Sequence, residues 1–263
     1  MLNLMSLNAD QQMQLGATVL LASSALVDCI QLVQVLRTGG RKYSKGVHRL
    51  VILALFLAVA AQSATIASVW TGSNDSLLNL AGTLLLSFAT LTVTVLVLLR
   101  FAELKLVSPS PFVRPVFTTA LASLAFFAWA ASALGALFGW DSWEAATWPV
   151  AMLLIVSFAC AVSIGVAGEI ESSYIKIYTL QQDFTSIKQR LIRTSAGLIA
   201  SSALLLLIPM QKWLPSLEWL YVLGMAGTAL YFSLALNYID CLTDSVAFAL
   251  VSPNAKQMLL STA

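Results

Sequence analysis

Leu77 to Leu99, LLNLAGTLLLSFATLTVTVLVLL, runs for 23 residues without a charge. At ~1.5 Å per residue a helix of that length covers ~34 Å, enough to cross the hydrocarbon core of a bilayer. Asp75 precedes the run and Arg100 follows it. Water is excluded at that depth, so the backbone must satisfy its own hydrogen bonds, and an isolated apolar run does so as an α-helix. Six further runs repeat the plan. The chain therefore reads as an all-α, polytopic membrane protein, a single seven-helix domain over residues 1–263, with spans at about 13–36, 50–70, 77–99, 116–140, 149–168, 194–213 and 219–239. Composition agrees: only 10% of residues are charged and 59% are hydrophobic, against roughly 25% charged in soluble domains.

The charges are sorted by side. The connectors after spans one, three and five, together with the C-terminal tail, hold thirteen of the fourteen Lys and Arg, and only Lys212 falls on the opposite side. Cytoplasmic loops carry such an excess, which places the N-terminus outside and the C-terminus in the cytoplasm. Asp10, Asp75, Asp141, Glu144 and Glu218 then lie outside. Trp70, Trp140, Trp143, Trp148, Trp213 and Trp219 fall at the same outer ends, where an indole suits the headgroup layer. Trp129 alone is mid-span. The twelve residues before the first span lack a basic segment, so no cleavable leader is expected. The expected home is the plasma membrane or an endomembrane.

Several chemistries are excluded by count. One His and three Cys (Cys29, Cys160 and Cys241) are too few for a zinc cluster, a disulfide framework or a paired-His haem site. No cofactor, metal site or catalytic residue is expected, and the near-balanced charge gives no nucleic-acid footprint. Trp219 to Ile239 contains no Lys, which excludes a retinal Schiff base. The third span ends LLRFAEL, so Arg100 lacks the preceding acid and following Tyr of the common G-protein-coupled receptor signature. The seventh span ends NYID, and the outer connectors contain no Cys. The Pro-Gln pairs of PQ-loop sugar transporters are missing as well, and no family is assigned.

What remains is a set of polar residues inside apolar runs. Asp28 is the only acid well within a span, roughly 13 Å from the Arg37 end of its helix. Facing lipid it would cost roughly 2.5–3.5 kcal/mol on insertion scales. It is expected to face the bundle with Gln31 and Gln34, at i+3 and i+6, near Gln62 of the second span. Asn237 of the seventh span and Thr90, Thr92 or Thr94 of the third are the expected donors. The intrabundle site is thus Asp28, Gln31, Gln62 and Asn237. Asp28 serves there as a switch or cation site, or else as a structural hydrogen bond between helices. His48 is expected to be solvated. Cys241, just past the seventh span, sits where lipidation occurs, and Asn74-Asp75-Ser76 is a formal glycosylation sequon.

Two stretches suggest partners beyond the lipid bilayer. Ala128, Ser132 and Ala136 with Gly135 and Gly139 form a small-residue face on the fourth span, suited to close helix packing within the bundle or to a homodimer. In the fifth connector, Ile170, Tyr174, Ile177, Phe184 and Leu191 recur at helical steps, with Lys176, Lys188, Arg190 and Arg193 supplying charge. Glu169 to Arg193 is expected to extend spans five and six as helices joined near Gln181 to Thr185. They would present an amphipathic face to headgroups or to a cytoplasmic protein partner, with Arg100 at the same edge. Outer connectors of six to eight residues cannot form an external binding domain, so any ligand enters the bundle itself. The sequence favours a receptor-like signal transducer and not an enzyme. A small-solute transporter or channel, or a structural subunit of a membrane complex, is the alternative.

Overall fold

The computed structural model describes residues 9–42, 45–71, 76–138, 142–174, 178–210 and 219–251. The helices are α1 Ala9–Lys42, α2 Lys45–Thr71, α3 Ser76–Glu103, α4 Pro115–Phe138, α5 Ser142–Tyr174, α6 Tyr178–Leu204, a short α7 Leu207–Met210 and α8 Trp219–Val251. Among the described residues there is no strand. Six long helices are apolar enough to cross a membrane, over Gln14–Arg37, Gly46–Ser68, Leu80–Leu106, Pro115–Phe138, Ala146–Ser172 and Phe184–Met210. α8 opens with the uncharged stretch Trp219 to Ile239. The molecule is an all-α membrane bundle.

Consecutive helices pack side by side from α1 through α6. α6 packs on α8, α8 closes the ring on α1, and α3 leans inward against α5 and α8. Half of the spanning residues of α3 and α5 are buried, against 11% of those of α4, which lies at the periphery. α1 and α2 run antiparallel. Trp70 Nε1 donates to Thr18 Oγ1 at 2.9 Å. Gln62, eight residues back along α2, meets Ser24 and Asp28, six and ten residues further along α1. Hydroxyls in the apolar layer return their protons to the preceding turn, as Thr65 does to the Ala61 carbonyl and Thr94 to that of Thr90, which lets polar side chains live within a span.

Proline shapes the breaks. Pro209 has no N–H to give the Leu205 carbonyl and its ring crowds that oxygen, so α6 stops at Leu204 and α7 restarts the chain. Pro109, Pro111 and Pro115 break the third connector into single 3₁₀ turns, Leu104–Leu106 and Pro111–Val113. That connector is not a loose tether, since Leu104, Val107, Ser108 and Val113 are all buried.

α6, α7 and α8 meet at glycine. A Cβ on Gly224 would stand 2.7 Å from Ile208 Cγ1 and 3.2 Å from the Ile208 backbone nitrogen, whereas one on Gly165 would meet nothing within 4 Å. Gly224→Ala is expected to destabilise by about 1–3 kcal/mol through overpacking. Gly165→Ala is the neutral or stabilising control, read by thermal unfolding of the two purified variants.

Several helices are longer than the membrane core is thick. α5 and α8 are each 33 residues long, ~50 Å against a hydrocarbon core of ~30 Å. The end of α5, the start of α6 and the end of α8 therefore form an end layer. Phe184 of α6 is fully buried and its ring lies 5.2 Å from that of Phe248 on α8. Ile170, Leu191, Leu242, Val246 and Ala249 are buried with them. The fifth connector is helical as expected, but α5 ends at Tyr174 and α6 begins at Tyr178, ahead of the expected junction at Gln181 to Thr185. Its apolar face is spent on the bundle and not on headgroups. Residues 240–251, expected as the start of a tail, are helix: α8 continues to Val251. Tyr174's side chain, Lys176 and Ile177 lie outside the residues described.

Candidate functional site

Asp28 is fully buried, and it faces the bundle because the inward stripe of α1 passes through it: Ala17, Leu21, Ser24, Asp28 and Val35 are buried among the described residues of that helix. These steps of four, three, four and seven trace one face of an α-helix. Gln62 is also fully buried on α2. Its Nε2 stands 2.8 Å from Ser24 Oγ, 2.9 Å from Asp28 Oδ2 and 2.9 Å from Thr228 Oγ1 of α8. Ser24 Oγ in turn donates to the Ala226 carbonyl at 3.3 Å. One amide thus ties three helices together around a carboxylate. No Lys, Arg or His among the described residues pairs with that carboxylate. Asp28 Oδ1, Gln62 Oε1 and Gln31 Oε1 are buried without a hydrogen-bond partner.

The expected partners are only partly those found. Gln62 meets Asp28. Gln31 is half-buried one turn away and makes no bond to it, and Gln34 is exposed. Asn237 is half-buried and lies nine residues beyond Thr228, ~13 Å along α8, so Thr228 takes the place expected for it. The threonines of α3 are engaged elsewhere. Thr90 accepts from Trp148 Nε1 at 2.9 Å, Thr92 donates to the Phe88 carbonyl, and Thr94 pairs with Tyr231 Oη at 3.1 Å. Trp148 is consequently a buried packing residue and not a headgroup anchor, while Trp70 and Trp219 are exposed.

α8 carries a polar stripe that the sequence reading missed. Thr228, Tyr231, Tyr238 and Ser245, at steps of three, seven and seven, are each at most 1% exposed. Thr228 meets α2 and Tyr231 meets α3. Tyr238 Oη meets Ser163 Oγ of α5 at 2.6 Å and donates to the Ala159 carbonyl at 3.1 Å. The signal was present as hydroxyl residues at helical steps, and Ser24 was likewise visible one turn before Asp28.

The basic residues of the end layer divide into two groups. Arg100 is buried and its Nη1 grips Glu103 at 2.6 and 2.8 Å, so it does not project as an interaction residue. Lys188 pairs with Glu171 at 2.5 Å, and Thr185 donates to the same carboxylate at 3.1 Å. Ser108 Oγ bonds Glu169 at 2.9 Å, pinning the third connector to α5. Arg190 and Arg193 are exposed on α6. His48 is half-buried, with Nδ1 unpartnered.

Cys241 is fully buried, so it is not presented for lipidation. A maleimide reagent is expected to leave it unlabelled in the folded protein and to react once the bundle is unfolded, read by mass spectrometry of the Cys241 peptide. Ala125, Ala128 and Gly135 of α4 are turned toward the bundle, while Phe126, Phe127 and Phe138 face outward. Trp129 follows the inward side, donating to Ser87 Oγ at 3.2 Å. The small residues thus serve packing on α3 and α5. Gly139, the other half of the GxxxG pair, and the sequon residues Asn74 and Asp75 lie outside the described residues.

No protein-family model matches this chain, and neither a curated protein nor a solved structure matches it.

Proposed function

We propose that this protein is a receptor-like, non-retinal signal transducer of the plasma membrane or an endomembrane. In this reading its N-terminus is outside, its C-terminus is cytoplasmic, and its switch is the Asp28–Gln62–Thr228 cluster. The observation that carries the reading is the α8 stripe. It begins at the cluster, bonds α2, α3 and α5 in turn, and ends in the layer where α5, α6 and α8 overhang the membrane. A shift of α8 at Thr228 would be felt at Tyr238, ~15 Å away on the same rigid element. The triggering ligand enters from the Trp70 end, where buried Thr65 and Ser68 continue the polar face of Gln62.

A transporter needs a polar path through the bundle. The void between α2, α3 and α8, lined by Val51, Ala54, Leu55, Val93, Leu96, Phe232 and Leu236, has about 10 Å³, at most one water, and its lining is apolar. A homodimer through the fourth span would have to use the outward Phe126 and Phe127 face.

The test is hydrogen exchange on the purified protein in lipid nanodiscs, comparing it with Asp28→Asn. Signal transduction predicts altered exchange in residues 178–193 and 242–251, far from the substitution. Change confined to α1 and α2 would sink the reading. An epitope tag at Met1 that labels only after permeabilisation would reverse the orientation.

A further inference from the structure

The cluster between α1, α2 and α8 is over-supplied with oxygen. Gln62 Nε2 has two hydrogens and three oxygen neighbours, Ser24 Oγ, Asp28 Oδ2 and Thr228 Oγ1. Asp28 Oδ1 and Gln62 Oε1, both fully buried, have no partner. Buried polar atoms are satisfied by protein, water or an ion in nearly every native structure. Here oxygens of one carboxylate, one amide and two hydroxyls gather around a single formal negative charge, with no cationic side chain among the described residues to balance it.

We infer that this cluster binds a monovalent metal cation of the sodium class. The inference rests on the reading of the cluster as a switch and names its ligand. Every donor is a hard oxygen, with no thiol or imidazole, which suits alkali and alkaline-earth ions and not zinc or copper. One carboxylate neutralises one unit charge. A divalent ion would leave a net charge in an apolar setting, where an uncompensated charge is costly. Gln62 suits both conditions of the site, because its terminal amide torsion is broad. In one orientation Nε2 donates to Asp28, and turned over it presents Oε1 toward the same three oxygens. The cation would thus be read by a rotation of Gln62, which bonds α1 and α8 from α2.

The experiment uses the purified full chain and sodium itself. Radiolabelled sodium should bind saturably and be displaced by unlabelled sodium but not by N-methylglucamine. Sodium chloride should raise the unfolding temperature relative to choline chloride at equal ionic strength, since a ligand of the native state stabilises it. Asp28→Asn should abolish both effects, and Thr228→Val should weaken binding about tenfold or more, as loss of one ligand at ~1.4 kcal/mol implies. If Asp28→Asn does not fold, Thr228→Val and Ser24→Ala carry the test, each with reduced affinity expected. The inference is overturned if the unmodified chain shows no saturable binding. It is equally overturned if the sodium-dependent shift survives Asp28→Asn, or survives both hydroxyl substitutions at full size. Binding without any sodium effect on exchange in residues 178–193 and 242–251 would uphold the cation site and overturn the switch.

Discussion

Gln62→Leu is expected to destabilise the bundle by about 1–3 kcal/mol, the cost of leaving a buried polar group without its partner. The substitution deletes the side chain that bonds Ser24, Asp28 and Thr228 together. It strands a carboxylate that is fully buried, and leucine fills the volume without supplying a donor. Adding Asp28→Leu should restore a large part of the loss, because replacing both members with apolar groups removes the stranded carboxyl as well as the bond. Unfolding of the four proteins in a double-mutant cycle measures the coupling. Simple addition of the two single losses would mean that Gln62 and Asp28 do not depend on each other, and the geometry of the cluster would then carry no energetic meaning.

Phe184→Ala should cost about 3–5 kcal/mol, the range for truncating a fully buried aromatic side chain. The loss should be local. Phe184 opens the long apolar stretch of α6, where α6 packs on Phe248 of α8, and around it the layer is held by the Lys188–Glu171 pair and the Ser108–Glu169 bond. The Lys188–Glu171 pair is partly open to solvent and contributes little by itself, so the apolar contact is the main support. Protease cleavage within residues 178–190 should rise sharply in Phe184→Ala and stay near the unmodified level in Ile192→Ala, whose side chain is exposed. Unchanged protection in Phe184→Ala would show that the layer is held by something other than this core.

The existence and number of the long helices were legible in the sequence because the bilayer imposes one rule on every span: about 20 apolar residues with an internally satisfied backbone. Asp28 facing inward was legible for the same reason, since lipid penalises a carboxylate at that depth. The small residues of α4 and the prolines of the third connector also signalled close packing and a broken helix. The ends were less legible. Hydropathy is low before Thr194 and after Ile239, yet helix formation there is decided by packing between α6 and α8, which joins Phe184 to Phe248 across 64 positions of sequence. Partner choice was not legible at all. Thr228 and Asn237 are both polar residues on α8, and nothing local says which one faces Gln62; the answer depends on the rotation and height of α8 in the ring, fixed by contacts such as Gly224 on Ile208 and Gly227 on Leu204. The same holds for Trp148, whose position near a span end suggested a headgroup anchor, while the inward lean of α3 makes it a partner of Thr90. Sequence alone determined what must avoid lipid; only the tertiary arrangement decided what each of those residues meets, because a helix fixes the direction of its side chains and leaves open which neighbour stands there.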